Sequence, residues 1–167
     1  MLRWLTLAVL WSTTCWAGQM FGSGGGWNFG TAPDYENDIT GIRVSISLIG
    51  IFKSIQVRYG SSWSEAFGVS GGNSQEFILW PGEHIIGVYG SHKIYLRHLI
   101  IYTDFGRWAT FGKDDGRSFV VYPDQPGNVV TGLFGQYQFL GITGIGFNWG
   151  YPRVQVSTEA PQNQTRS

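Results

Sequence analysis

The clearest pattern in the chain is an alternation of apolar residues with small or polar residues at a period of two. In residues 144–149, Ile145, Phe147 and Trp149 occupy one side, with glycines and a polar residue on the other. This period predicts a half-buried strand, and the glycines would leave room for a neighbouring backbone. We expect the strand to hold an exposed loop, residues 136–143, at a fixed angle, an arrangement suited to ligand binding.

Similar alternations mark the rest of the chain as a series of short strands. Residues 42–49 and 55–59 predict an antiparallel pair. One face of the first run carries Ile42, Val44, Ile46 and Leu48. Further apolar runs, bounded by glycine or proline, lie at 77–80, 85–89, 96–102, 108–111 and 119–122. The total is about ten to twelve strands without a sustained 3.6-residue period, so the predicted fold class is all-β.

The two ends of the chain differ from this pattern. Arg3, the apolar run 4–11 and a cleavage region at 16–18 with the small residues Ala17 and Gly18 predict a secretory signal peptide over residues 1–18, too short to span a membrane. Residues 153–167 are polar and predict a disordered tail, which carries the glycosylation sequon at Asn163. We therefore expect a secreted protein without membrane insertion, whose folded domain is residues 19–152.

Composition supports a single all-β domain with its own core. Charged residues are only 13% of the 167 residues and aromatic residues are 16%, a balance that favours strands over helices. Without the leader the net charge is about −1, so the domain lacks the excess positive charge that is typical of nucleic-acid-binding proteins. The only cysteine, Cys15, lies in the leader, so the core alone would stabilise the mature domain.

Several motifs suggest chemistry that their context does not support. Residues 68–72 satisfy the string G-x-S-x-G, but a strand rather than a helix is predicted to follow. His84, His92 and His98 lack the spacing of metal ligands. The acidic stretch 33–38 does not continue as a calcium loop. No close carboxylate pair shares a loop, so the chain is not expected to be an enzyme or to hold a metal or cofactor.

Two polar segments have simpler interpretations. The glycine-rich stretch 21–29 fits either a flexible N-terminal arm, which composition alone favours, or a loop that lets a ligand approach the backbone. Residues 113–116, which run Lys-Asp-Asp-Gly, predict a hairpin turn.

An ordered series of short motifs resembles one known family. The motifs are GGG at 24–26, ITGIRV at 39–44, SIQVRYG at 54–60, GG at 71–72, PGE at 81–83, LIIYT at 99–103, FG at 111–112 and IGFNW at 145–149. Together they resemble the jacalin-related lectins, in particular the mammalian zymogen granule protein 16 group, over residues 20–152. The resemblance implies a β-prism I fold, in which three four-stranded Greek-key sheets surround a pseudo-threefold axis.

The resemblance also implies metal-independent carbohydrate binding at one end of the prism. A glycine loop, a recognition loop and a C-terminal loop would meet there in a shallow polar cup. The implied binding residues are Gly25, Gly26, Trp27, His92, Lys93, Tyr95, Gln138, Phe139, Leu140, Gly141 and Thr143. Trp27 or Tyr137 would cover an apolar sugar face, and Lys93 would reach a hydroxyl or an anionic group.

One departure from the family motif affects the expected ligand. The family's G-x-x-x-D motif places its glycine at Phe139 and its aspartate at Thr143. A carboxylate accepts charge-assisted hydrogen bonds about twice as strong as neutral ones. Its loss would weaken mannose-type binding about tenfold, and Thr143→Asp would be expected to restore affinity.

Three functions remain open from the sequence. The first is a secreted, granule-stored lectin, of the kind found in saliva, that recognises glycans on mucins, secretory glycoproteins or microbial surfaces. The second is a protein-interaction or packaging module that has lost mannose-type binding. The third is a binder of sulfated polysaccharide through Lys93, Arg97, Arg107 and Arg117. A homodimer is also left open.

Overall fold

The computed structural model describes residues 18–153, so nearly all of the predicted signal peptide and of the predicted tail with Asn163 lie outside it. Thirteen strands and no helix occur in this range, slightly more strands than predicted. No helix there could span a membrane. The strands are β1 Met20–Gly22, β2 Trp27–Gly30, β3 Ile39–Ile46, β4 Phe52–Tyr59, β5 Ser62–Trp63, β6 Phe67–Gly68, β7 Asn73–Ile78, β8 Ile85–His92, β9 Leu96–Thr103, β10 Trp108–Gly112, β11 Arg117–Val121, β12 Val129–Gln138 and β13 Gly141–Gly150.

The strands form three antiparallel sheets with the same layout. Sheet A has the order β2-β12-β13-β1, sheet C has β11-β8-β9-β10, and sheet B has β7-β3-β4 followed by β5 and β6. Both β5 and β6 pair with one edge of β4, so they act as a single interrupted strand. Each sheet is therefore a four-stranded Greek key. Sheet A combines the first two and the last two of the described strands, and the β-prism I prediction is confirmed.

A pseudo-threefold repeat relates the three sheets in detail. The central hairpins are hairpin A (β12–β13), hairpin B (β3–β4) and hairpin C (β8–β9). Each has a β-bulge next to its turn, in the second strand, opposite Gln136/Tyr137, Ser45/Ile46 and Ser91/His92 respectively. The outer strands of each sheet are joined by a glycine loop, which we call glycine loop A (22–26), B (68–72) and C (112–116). The G-x-S-x-G string is thus glycine loop B and not a nucleophile elbow.

Each glycine loop lies directly on the backbone of its own hairpin. A Cβ at Gly22, Gly68 or Gly112 would overlap the carbonyl oxygen of Thr143, Lys53 or Arg97, which occupy equivalent bulge positions. All three glycines have positive φ angles. The stretch 21–29 is accordingly part of the fold and not the flexible arm that composition favoured.

The core lies between the three sheets and draws on all of their hairpins. Its most deeply buried side chains include Phe52, Ile55, Leu99, Leu133, Ile142 and Ile145. The predicted alternation in β3 is confirmed for Ile42, Val44 and Ile46, but Leu48 is fully exposed. The strand ends at Ile46 and Leu48 lies in the turn of hairpin B, so the alternation does not continue to it.

Three further expectations were wrong. Residues 136–143 are not an exposed loop, because β12 continues to Gln138 and β13 begins at Gly141. Residues 113–116 are not a hairpin turn, because they connect β10 to β11 across the whole width of sheet C. The space beside Gly144 and Gly146 is taken by the side chains of Met20 and Phe134, not by a neighbouring backbone.

Candidate functional site

Three turns meet at one end of the prism, as the resemblance implies. They are glycine loop A, the turn of hairpin A at residues 139–140 and the turn of hairpin C at residues 93–95. The Gly24 amide donates to the Thr143 carbonyl at 2.9 Å, and the Ser23 hydroxyl donates to the Ile94 carbonyl at 2.5 Å. These bonds join the three turns, and we call residues 23–27, 93–95 and 138–143 the rim site.

Thr143 holds the glycine loop in place. It is the bulged residue of β13, is only 1% exposed, and donates its hydroxyl to the Gly25 carbonyl at 2.7 Å. Where the family has an aspartate, this chain therefore has a buried hydroxyl that is already bonded. A β-bulge re-aims a side chain in this way.

This environment changes the expected result of Thr143→Asp. A carboxylate has no proton to donate to the Gly25 carbonyl, and burying it without a partner destabilises the fold by about 2–3 kcal/mol. We expect reduced stability to urea and no gain in mannose affinity. Thr143→Ser keeps the hydroxyl and serves as the control, with denaturation and glycan binding measured on both. A gain in affinity for Thr143→Asp would contradict this assignment.

Gln136 is a positioning residue that the sequence did not single out. Its side-chain oxygen accepts the Gly25 amide at 2.6 Å, and its side-chain nitrogen donates to Asn28 Oδ1 at 3.0 Å. Glycine loop A is therefore fixed from both sides, by Thr143 and by Gln136. No sequence pattern indicates this role, which depends on the pairing of Gln136 in β12 with Asn28 in β2.

The exposed surface of the rim site is aromatic and apolar. The Trp27 ring lies 5.4 Å from that of Phe139 in an edge-to-face arrangement and 5.6 Å from that of Tyr137. Trp27 is 52% exposed and Phe139 is 80% exposed. Leu140 and Ile94 are exposed beside them. The rim is thus mainly apolar, which differs from the polar cup that was expected.

The recognition-loop residues are largely engaged within the protein. Lys93 Nζ lies 3.0 Å from Asp115 Oδ2, and the Lys93 amide donates to the Tyr95 carbonyl. His92 Nδ1 lies 2.8 Å from the Lys93 carbonyl, which fixes its ring beside that of Phe119. The Lys93 charge is therefore balanced by a carboxylate of glycine loop C.

Glycine loop C is anchored on the outer face of sheet C. Tyr89 donates its hydroxyl to Asp114 at 2.9 Å, which holds the pKa of Asp114 below its usual range and raises that of Tyr89. The Asp115 amide donates to the Ser91 hydroxyl at 3.0 Å. Burial lowers the pKa of His98, whose Nε2 lies 3.0 Å from the Thr110 hydroxyl.

The four cations expected to bind sulfated polysaccharide do not form one patch. Arg107 follows β9, at the end of sheet C opposite the turn of hairpin C, and pairs with Glu83 at 2.6 Å. Arg97 donates from Nη1 to the Ile49 carbonyl. Lys93 lies near Arg117, because its neighbour His92 pairs with Arg117 across β8 and β11.

Neither a metal centre nor a catalytic constellation is apparent among the three histidines. Within residues 18–153, no three His, Cys, Asp or Glu side chains converge to hold a metal ion. His84 Nδ1 lies 3.0 Å from Asp104, and its Nε2 lies 3.2 Å from Asp38. These contacts tie the segment before β8 to the turn after β9 and to the segment before β3.

Known proteins are similar to this chain both in sequence and in architecture. Residues 18–148 match the Jacalin-like lectin domain family. Human zymogen granule membrane protein 16 is 40% identical over 134 residues, covering 79% of each chain. Mouse prostatic spermine-binding protein is 37% identical over 150 residues, covering 90% of this chain and 75% of the relative. The crystal structure of a prostate-specific WGA16 glycoprotein lectin superposes with a TM-score of 0.75 at 52% identity, covering 81% of this chain and 98% of the other.

These similarities extend over nearly all of the described residues, and they include the three-sheet architecture as well as the sequence. Lectins of this fold are typically not enzymes, and the likeness to them supports carbohydrate binding by this chain. The chain belongs to the Jacalin-like lectin domain family.

Proposed function

We propose that this chain is a secreted lectin that binds neutral sugars at the rim site without a metal ion. Its targets would be glycans on mucins, secretory glycoproteins or microbial surfaces. The observation that carries the proposal is the exposed edge-to-face pair of Trp27 and Phe139, at the junction of three hydrogen-bonded turns. The leader predicted at residues 1–18 and the similarity to a granule protein support secretion, including storage in granules.

The chemistry of the rim favours stacking over charge. An aromatic ring packs well against the apolar face of a pyranose, and Trp27 presents about half of its surface for such a contact. The Gln138 side chain and the backbone of the exposed turn at residues 139–140 would orient the sugar. Without the family's aspartate, we expect modest affinity and selectivity for sugars with a broad apolar face.

Replacing Trp27 with alanine tests this proposal. On a glycan array and in titrations with the best neutral glycan, Trp27→Ala is expected to weaken binding at least tenfold, because the stacking surface is lost. Trp108→Ala is the matched control, since Trp108 is similarly exposed, at 62%, on β10 in sheet C. Equal affinities of the two variants would place binding elsewhere and contradict the rim site.

A protein-interaction or packaging module is the second candidate. The exposed side chains of Ile94, Phe139 and Leu140 also fit an apolar protein surface, and the buried Thr143 removes the family's sugar-binding acid. Under this alternative, the mature protein is expected to bind no glycan on the array. It would instead form a homodimer or a complex with granule proteins, detectable by light scattering and sensitive to Leu140→Ser.

A further inference from the structure

The rim site contains a single charged side chain. Its three segments, residues 23–27, 93–95 and 138–143, are uncharged except for Lys93. Lys93 lies in the turn of hairpin C, and the hydrogen bond from Ser23 to the Ile94 carbonyl ties that turn to glycine loop A. The position of the Lys93 ammonium therefore decides whether the rim presents a positive charge to a ligand.

The Lys93 side chain lies against glycine loop C. A Cβ at Gly116 would be 2.8 Å from Lys93 Cγ, so the aliphatic stem of Lys93 crosses directly over this glycine. At the end of the stem, Nζ lies 3.0 Å from Asp115 Oδ2. Both the stem and the ammonium of Lys93 thus contact glycine loop C, whereas Ile94 in the same turn contacts glycine loop A.

Asp115 is held in place by the backbone on which it lies. Its amide donates to the hydroxyl of the buried Ser91 at 3.0 Å. The preceding residue, Asp114, accepts the Tyr89 hydroxyl at 2.9 Å. These bonds fix glycine loop C on sheet C, and the Asp115 carboxylate follows on a short side chain. Lys93 has a long and flexible stem, so it is the partner that can adopt another position.

The ion pair affects the charge of the rim more than the stability of the fold. The side chains of Lys93 and Asp115 are 53% and 46% exposed, and an exposed pair of this kind stabilises a protein very little. A released ammonium, in contrast, donates strong charge-assisted hydrogen bonds to a carboxylate or a sulfate. While Lys93 is paired, an acidic ligand has to displace the Asp115 carboxylate before it gains such bonds.

We propose that Asp115 determines the specificity of the rim site, because it holds Lys93 against glycine loop C and thereby disfavours acidic sugars. Asp115 acts through Lys93, so it is a positioning residue. The inference rests on the proposed function, since it concerns which sugars the rim site prefers. With Lys93 held, the rim selects neutral sugars that stack on Trp27 and Phe139. With Lys93 released, it also holds a carboxylate or a sulfate.

Asp115→Asn tests this role, since it removes the charge that retains Lys93. The probes are N-acetyllactosamine, the same disaccharide carrying one sulfate, and the same disaccharide carrying one sialic acid. The affinity for an acidic probe, relative to the neutral one, is expected to rise about fivefold in low salt. Most of this gain is expected to disappear at about 0.5 M salt, because exposed charges are then screened. A gain for the sulfated or the sialylated probe alone assigns the anion as sulfate or carboxylate.

Asp114→Asn is the matched control. It removes the same charge from the adjacent position of glycine loop C and keeps an acceptor for the Tyr89 hydroxyl, so it is expected to leave the relative affinities unchanged. Adding Lys93→Gln to Asp115→Asn is expected to abolish the gain. Equal gains for the two aspartate variants, a gain that persists without Lys93, or no gain for Asp115→Asn would each overturn the proposal.

Failure of the proposed function gives a different result. Neutral binding that depends on Trp27, combined with no acidic gain in Asp115→Asn, would overturn only the role of Asp115. Wild-type protein that binds no neutral glycan, combined with a gain for an acidic probe in Asp115→Asn that requires Lys93, would contradict the neutral-sugar function and support the control of charge by Asp115.

Discussion

Gly112→Ala is expected to destabilise the domain by about 3–5 kcal/mol, through a left-handed backbone and a steric overlap. The φ angle of Gly112 is +73°, a region that L side chains rarely adopt. A Cβ there would also overlap the Arg97 carbonyl oxygen and lie 2.8 Å from the Phe52 ring. Neither group can move to make room for the Cβ. The Arg97 carbonyl belongs to the backbone of hairpin C, and the Phe52 ring is fully buried.

Gly106→Ala separates the two contributions. Gly106 has the same φ of +73°, but nothing lies within 4 Å of its Cβ position. Its substitution is expected to cost only about 1 kcal/mol, the backbone contribution alone. Urea unfolding of both variants measures the difference. Similar losses for the two would mean that glycine loop C moves away from hairpin C easily, and the close contact would not be a structural constraint.

The strands were predictable because one side of each hairpin faces a shared core. Period-two alternation located β3, β4 and β9 to within a few residues. The prediction was wrong for Leu48 and for residues 136–143. In both segments, exposure depends on where the hairpin turn lies and not on the alternation of residues. The pairing of distant strands followed only from the family resemblance, since sheet A joins the first and last described strands and no local sequence pattern indicates that contact.

The sequence also contains a repeat of glycine pairs that the alternation of apolar and polar residues does not reveal. Glycines four residues apart occur at 22 and 26, at 68 and 72, and at 112 and 116. This spacing would have identified the three equivalent loops, and it would have explained the G-x-S-x-G string and the segment 113–116 together. The internal repeat also identifies Lys53, Arg97 and Thr143 as equivalent positions.

The chemistry of the rim site was less predictable than its location. The meeting of three turns followed from the resemblance, but the burial of Thr143 depends on a bulge in β13. A bulge changes which face a side chain occupies, and sequence spacing alone does not locate it. The aromatic character of the rim depends on Trp27 and Phe139, which lie 112 positions apart and meet only through the pairing of β2 with β12.

Glu83→Ala is expected to destabilise the domain by about 3 kcal/mol, because it leaves an arginine without its partner in a partly buried site. The Glu83 side chain is fully buried and accepts three hydrogen bonds. The donors are Arg107 Nη1 at 2.6 Å, the Thr103 hydroxyl at 2.6 Å and the Trp80 amide at 2.7 Å. These bonds close the turn before β8 onto the turn after β9, at the end of sheet C away from the rim.

The matched control is Glu76→Ala, which breaks a similar pair at the surface. Arg43 lies 3.9 Å above the Trp63 ring and pairs with Glu76, just as Arg107 lies 4.0 Å above Trp80 and pairs with Glu83. Both members of the Glu76 pair are substantially exposed, so its loss is expected to cost less than about 1 kcal/mol. Thermal and urea unfolding of the two variants compare pairs that differ mainly in burial. If Glu83→Ala cost no more than Glu76→Ala, water would be replacing the lost carboxylate, and the buried pair would contribute little to the stability of the prism.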